Sequence, residues 1–116
     1  MKLKIAVNKA CKNKQSQPAR DWLNILEDLD WLLGWVAKGY GWTATHFRDR
    51  HRKAENASGS NMVVIDFDGD TTLGRFWQTN TARTWCAATY TSSSHTEQEH
   101  RFRALFPLGM ELQSTN

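Results

Sequence analysis

The most constraining feature of this chain is a short apolar run that ends in acid, Met62-Val63-Val64-Ile65-Asp66-Phe67-Asp68. Turn-forming residues bound it on both sides, Asn56-Ala57-Ser58-Gly59-Ser60-Asn61 before and Gly69-Asp70-Thr71-Thr72 after. A run this short, apolar and β-branched reads as a strand, and its continuity predicts a central strand covered on both faces. A pleated strand places residues i and i+2 on one face, so Asp66 and Asp68 point the same way. Two carboxylates so placed repel each other and lose solvation as the strand packs. A hard divalent cation, Mg²⁺ or Mn²⁺, relieves both penalties, which makes Asp66 and Asp68 candidate metal ligands. The alternative is a strand that stops at Phe67, with both aspartates solvated in the following turn.

Around this run the pattern predicts an α+β chain. Leu3, Ile5 and Val7 alternate with polar residues as in a half-buried strand, and Cys11 to Gln17 read as a polar loop. Ser16 is placed to cap a helix with Pro18 in its first turn. Trp22, Ile25, Leu26, Leu29, Leu32, Leu33 and Val36 recur at helical spacing, and Gly39 and Gly41 end that helix. Thr43 to Ser60 is polar, basic and turn-rich. After the acidic strand come a short helix over Leu73–Thr81, a strand over Trp85–Thr91, a polar loop and a strand over Arg101–Phe106 closed by Pro107. Strand, helix, strand, strand is the first half of a ferredoxin-like unit, a βαββ half-sheet preceded by an N-terminal strand and amphipathic helix. The expected organisation is residues 1–42 as a strand-helix module, 43–108 as the core, and 109–116 as an unstructured tail.

Composition narrows the class. At 116 residues the chain has room for one small core, and no apolar stretch is long enough to span a bilayer. The N-terminus lacks the apolar region of a secretory signal, and Cys11 and Cys86 have no metal-ligand spacing, so a reducing cytoplasm is expected. The formal net charge of +3 is compatible with a polyanionic partner. Positive charge is clustered, at Lys2, Lys4, Lys9, Lys12 and Lys14, and again at Arg48, Arg50, Arg52 and Lys53 with His46 and His51 interleaved. Each cluster reads equally as a solvated surface. The six tryptophans are expected mostly in the core.

Ser93-Ser94-His95 follows the strand over Trp85–Thr91. It reads as a plain serine-rich turn, as a nucleophilic pair lacking an orienting acid, or as a phosphate-binding loop. Arg101 and Arg103 share a strand face and either assist phosphate binding or protect an exposed edge.

Taken together, an apolar strand ending in Asp66-Phe67-Asp68, a helix, a strand leading to Ser93-Ser94-His95, and the strand Arg101-Phe102-Arg103-Ala104-Leu105-Phe106 resemble the archaeo-eukaryotic primase superfamily. The nearest likeness is to the RepB-like and PrimPol-like primases of plasmids, phages and mobile elements, over residues 43–108. The basic stretch from Arg48 to Asn56 shares in it. The resemblance implies template-directed nucleotidyl transfer on an RRM-like sheet in DNA replication. Asp66 and Asp68 would be the catalytic metal ligands, and His95 a catalytic residue that, with Ser93, holds the incoming nucleotide's phosphates. Arg101 and Arg103 would add phosphate contacts, with Arg48 and Arg52 on nucleic acid. The partners implied are a nucleic-acid template and a ribo- or deoxyribonucleoside triphosphate. The family's third acidic motif has no clear counterpart, since only Glu97, Glu99 and Glu111 follow His95. The expectation is therefore an incomplete catalytic domain, inactive alone, whose open sheet is completed by a second copy or a C-terminal primase piece, with a helicase as a further partner.

Two other functions fit parts of the pattern. One is a non-catalytic nucleic-acid-binding module using Arg48, Arg52, Arg101, Arg103 and exposed aromatics. The other is a haloacid-dehalogenase-like phosphatase, whose DxDGT motif is matched as Asp66-Phe67-Asp68-Gly69 but interrupted by Asp70. No lysine follows Lys53 to serve that chemistry.

Overall fold

The computed structural model describes residues 1–12 and 18–113. The expected loop over 13–17, with Lys14 and the Ser16 cap, lies outside the described residues. The chain is α+β and forms two three-stranded sheets. By contacts it divides into Met1–Met62 joined by the segment from Gly109 onward, and Val63–Leu108. No helix among the described residues is long and apolar enough to cross a membrane.

The first unit holds β1 (Leu3–Lys12), β2 (Leu23–Glu27), α1 (Leu29–Ala37) and β3 (Tyr40–Thr43), in the sheet order β2-β1-β3. Strand β1 is central and antiparallel to both neighbours. Its Leu3, Ile5, Ala6 and Val7 are buried, as the alternating pattern predicts for Leu3, Ile5 and Val7. It continues through Cys11, where a loop was expected.

The single helix expected from Pro18 to Val36 is instead a strand followed by a helix. Leu23–Glu27 pairs with β1 in the register Leu3↔Glu27 to Val7↔Leu23. Asp21 adopts a left-handed φ of 67°, which stops helix propagation on one side. On the other side Asp28 restarts it, its carboxylate accepting the Trp31 backbone N–H at 2.9 Å. Residues 22, 25, 26 and 29 satisfy helical spacing by coincidence, and sheet pairing overrides it.

The segment after β3 is built from two single 3₁₀ turns, Arg48–Arg50 and Ala54–Asn56, closed by a bridge between Phe47 and Ala57. Phe47 packs edge-on against Trp22, with ring centres 6.1 Å apart, and both are buried with Ala6.

The second sheet consists of β4 (Ser60–Asp68), β5 (Ala88–Thr91) and β6 (Arg101–Leu112) in the order β4-β6-β5. The acidic strand β4 is thus at the edge rather than central, and its Ile65, Asp66 and Asp68 are exposed. The covered strand is β6, where Phe102, Ala104, Leu105 and Phe106 are buried. Two short helices, α2 (Leu73–Trp77) and α3 (Asn80–Trp85), replace the expected helix over Leu73–Thr81. Thr79 is extended and caps the second helix by accepting the Ala82 N–H at 3.1 Å. Trp85 therefore ends a helix, not the start of a strand.

Phe102, Ala104 and Phe106 form the core of this unit with Phe76 and Ala82, against which Val63, Phe67, Leu73, Trp77 and Cys86 pack. Phe67 and Phe102 stack at 4.8 Å and 16°. Strand β6 passes through Pro107 to Leu112, so Gly109–Leu112 is strand and not tail. Pro107 is tolerated because the register with β5 ends at Ala88↔Leu105, where the missing N–H is not required by that neighbour.

Tryptophan placement also departs from expectation. Trp22 is buried, at 2% exposure, whereas Trp31, Trp35, Trp42 and Trp77 are half-buried and Trp85 is 69% exposed.

Candidate functional site

With the phenylalanines of β6 turned toward α2 and α3, strand alternation turns Arg101 and Arg103 to the opposite face of the sheet. Asp66 and Asp68 on β4 and Tyr90 on β5 meet them there. The Arg103 guanidinium donates from Nε to Asp66 Oδ1 at 2.5 Å and from NH1 to the Tyr90 hydroxyl at 3.1 Å. Tyr90 stands directly opposite Arg103 in the β5–β6 register. One row thus crosses all three strands, Asp66–Arg103–Tyr90. A second row runs parallel to it. Arg101 donates from NH1 to Asp68 Oδ1 at 2.5 Å and from NH2 to Glu99 Oε1 at 2.9 Å.

The mutual repulsion expected of Asp66 and Asp68 is therefore relieved by cross-strand guanidinium partners. Among the described residues no three His, Cys, Asp or Glu side chains converge as a ready metal group. The carboxylates remain accessible, at 67% and 70% side-chain exposure, while the arginines are at 32% and 31%. Ion pairs this exposed contribute under about 1 kcal/mol each, so an incoming ligand can exchange them cheaply. Burial lowers the Arg103 pKa, but the Tyr90 phenol and the Asp66 carboxylate outweigh it and hold the group above the ordinary arginine value.

The loop between β5 and β6 closes back on this face. His95 Nδ1 accepts the Arg101 backbone N–H at 3.1 Å, so in the neutral ring the proton sits on Nε2. Its ring centre lies 4.7 Å from that of His100, whose Nδ1 accepts the Leu73 N–H at the start of α2. The His100 carbonyl in turn accepts the Gly69 N–H. His95 is thus tied, through Arg101, to the end of β4 that carries Asp68. Ser93 is exposed at the tip of the same loop, beside a Ser92–Ser94 hydroxyl contact of 3.2 Å.

Gly69 makes this closure possible. Its φ of +93° is left-handed, and a Cβ there would lie 2.8 Å from Glu99 Oε1. Any side chain at this position would push Glu99 away from Arg101.

Arg48 and Arg52 belong to the first unit, and Arg101, Arg103 and their partners to the second. Arg48 donates to the Glu55 carbonyl, and Arg52 lies 5.6 Å above the Trp22 ring. Both brace the 3₁₀ turns, and Arg52 and Arg48 remain exposed. Sequence reasoning missed Tyr90, Glu99 and His100. Tyr90 was legible from alternation along β5, since it shares parity with no helix-facing residue; Glu99 and His100 become neighbours of Asp68 only through loop closure.

No family model, no curated protein and no solved structure matches this chain.

Proposed function

We propose that residues 63–108 form the metal- and phosphate-holding part of a primase-type nucleotidyl-transfer site. The observation that carries this reading is the pair of rows on the sheet face away from α2 and α3, Asp66–Arg103–Tyr90 and Asp68–Arg101–Glu99, with the His95 loop attached. Its strand order β4-β6-β5, with the helices in the β4–β5 connection, is compatible with the first half of a ferredoxin-like or RRM-like sheet and lends support to the same reading.

The donor set suits a Mg²⁺ or Mn²⁺ ion that keeps several waters and takes one or two carboxylates plus substrate phosphates. Asp66 and Asp68 would supply those carboxylates. The bound ion would polarise the reacting phosphate and stabilise the pyrophosphate leaving group. The chain's own residues do the positioning. Arg101 and Arg103 turn from their carboxylates to the nucleotide's phosphate oxygens, where bidentate, charge-assisted contacts are stronger than the exposed ion pairs they replace. His95 Nε2 and the Ser93 hydroxyl donate to the outer phosphates. Tyr90 keeps Arg103 in place during the exchange.

The test is Mn²⁺ titration, read from the paramagnetic signal of the free ion, with and without a nucleoside triphosphate. Asp66→Asn or Asp68→Asn should weaken Mn²⁺ binding about tenfold or more, and Arg101→Gln should weaken the triphosphate. Unchanged Mn²⁺ affinity in both aspartate variants overturns the reading.

A further inference from the structure

The first unit carries a row of half-buried rings. On α1, Leu32 is buried and Leu29, Leu33 and Val36 flank it, so the packing face of the helix is accounted for. Trp31 and Trp35 lie one turn apart beside that face. They stack on each other with ring centres 5.2 Å apart at 15°. Trp35 continues onto Tyr40 of β3 at 4.8 Å, and its indole N–H donates to the Gly41 carbonyl at 3.0 Å. The result is a three-ring row, Trp31–Trp35–Tyr40, in which every ring is half-buried.

Positive charge sits at one end of it. Lys9 Nζ lies 5.7 Å and Lys12 Nζ 5.3 Å from the centre of the Tyr40 ring. Among the described residues neither ammonium has a carboxylate within salt-bridge distance, unlike Lys4 and Lys53. Asp28 and Asp30 hold the opposite end, in and before the first turn of α1. The row therefore has a direction, with unneutralised cations at Tyr40 and acids at Trp31.

We infer that this row is a binding platform for single-stranded nucleic acid. A base stacks on Trp31, the outermost ring, and phosphates further along the strand lie against Lys9 and Lys12 at the Tyr40 end. Stacking on aromatic rings beside unpaired cations is the chemistry of sequence-tolerant single-strand binding. A duplex hides its base faces and has no use for such rings. An apolar protein partner would be drawn by the rings but not by two ammoniums held on the last of them without a carboxylate. The inference uses no residue of the Asp66–Arg103 face and goes beyond the nucleotidyl-transfer reading.

The test is fluorescence anisotropy of a labelled twelve-nucleotide oligothymidylate with the full chain, without divalent cation or nucleotide. Loss of the metal-site reading therefore leaves its outcome untouched. Trp31→Ala should weaken binding by about 5- to 100-fold, the range for one lost stacking contact. Trp31→Phe should restore most of it and keeps the test valid if the alanine variant does not fold. Replacing Lys9 and Lys12 together by Gln should reduce the slope of log affinity against log salt by about 1.4, two phosphates' worth. Equal affinity of wild type and folded Trp31→Ala, equal binding of duplex and single strand, or no binding to the oligonucleotide each overturns the inference, the last in favour of a protein partner.

Discussion

Arg103 donates in two directions, to Asp66 on one neighbouring strand and to Tyr90 on the other. Lysine cannot reproduce that planar fork. Arg103→Lys should leave the unfolding free energy within about 1 kcal/mol of wild type, because the Asp66 pair is exposed. It should nonetheless weaken triphosphate binding about tenfold, measured by calorimetry, because the bidentate phosphate contact is lost. Cys86 gives a second expectation at this scale. Burial raises its thiol pKa, and hydrogen bonding to the Ala88 and Leu105 backbone only partly opposes the shift. A raised pKa means less thiolate at any given pH. Alkylation of Cys86 by iodoacetamide should therefore be slow at neutral pH. Its rate should reach half-maximum at a higher pH than that of a free cysteine peptide, with peptide mass mapping separating it from Cys11.

At the scale of elements, the chain is divided by caps that short side chains supply. Asp28 ends β2 pairing and opens α1, and Thr79 separates α2 from α3. Asp28→Ala should cost about 1 kcal/mol in urea unfolding, the usual worth of an N-cap. The cap also holds the first turn that carries Trp31. The central strand β6 bears far more. Phe102 is 1% exposed and touches the rings of both Phe67 and Phe76. Phe102→Ala should cost about 3–5 kcal/mol, enough to abolish the cooperative unfolding of a unit this small. Phe102→Leu should cost less, since it retains most of the buried volume.

For the molecule as a whole, nucleotide binding and primer synthesis are expected to part company. This face presents Asp66 and Asp68; of the further carboxylates near them, Glu99 is engaged by Arg101 from a loop and Asp70 accepts the Asp68 backbone N–H from the turn. A two-metal arrangement that aligns a primer hydroxyl needs its acidic ligands rigidly placed, and misplacement of the nucleophile is costly. Strand β4 is also an edge. Its exposed Ile65 leaves an apolar site beside unpaired backbone where a further strand can add. The chain alone should therefore bind a nucleoside triphosphate with Mn²⁺ yet extend no primer in a gel assay. Primer extension by the wild type that an Asp66→Ala control lacks would show that the described face is sufficient.

Several features were determined by the sequence itself, because they depend on local period and local chemistry. The alternation in Leu3–Val7, the apolar run before Asp66, the shared face of Asp66 and Asp68, and the alternation of Arg and Phe in β6 are all of this kind. Tertiary structure decided the rest. Whether Leu23–Glu27 is helix or strand depends on β1 offering it a partner, since its spacing suits both. Whether β4 is central or at the edge depends on where β6, which begins only at Arg101, inserts. The carboxylates' partners depend on register across that pairing, which places Arg103 beside Asp66 and Arg101 beside Asp68. All the tryptophans but Trp22 escape full burial for the same reason. Phenylalanines and alanines make up the buried core of the second unit, and an indole's size says how much surface it can bury but not whether a partner arrives to cover it.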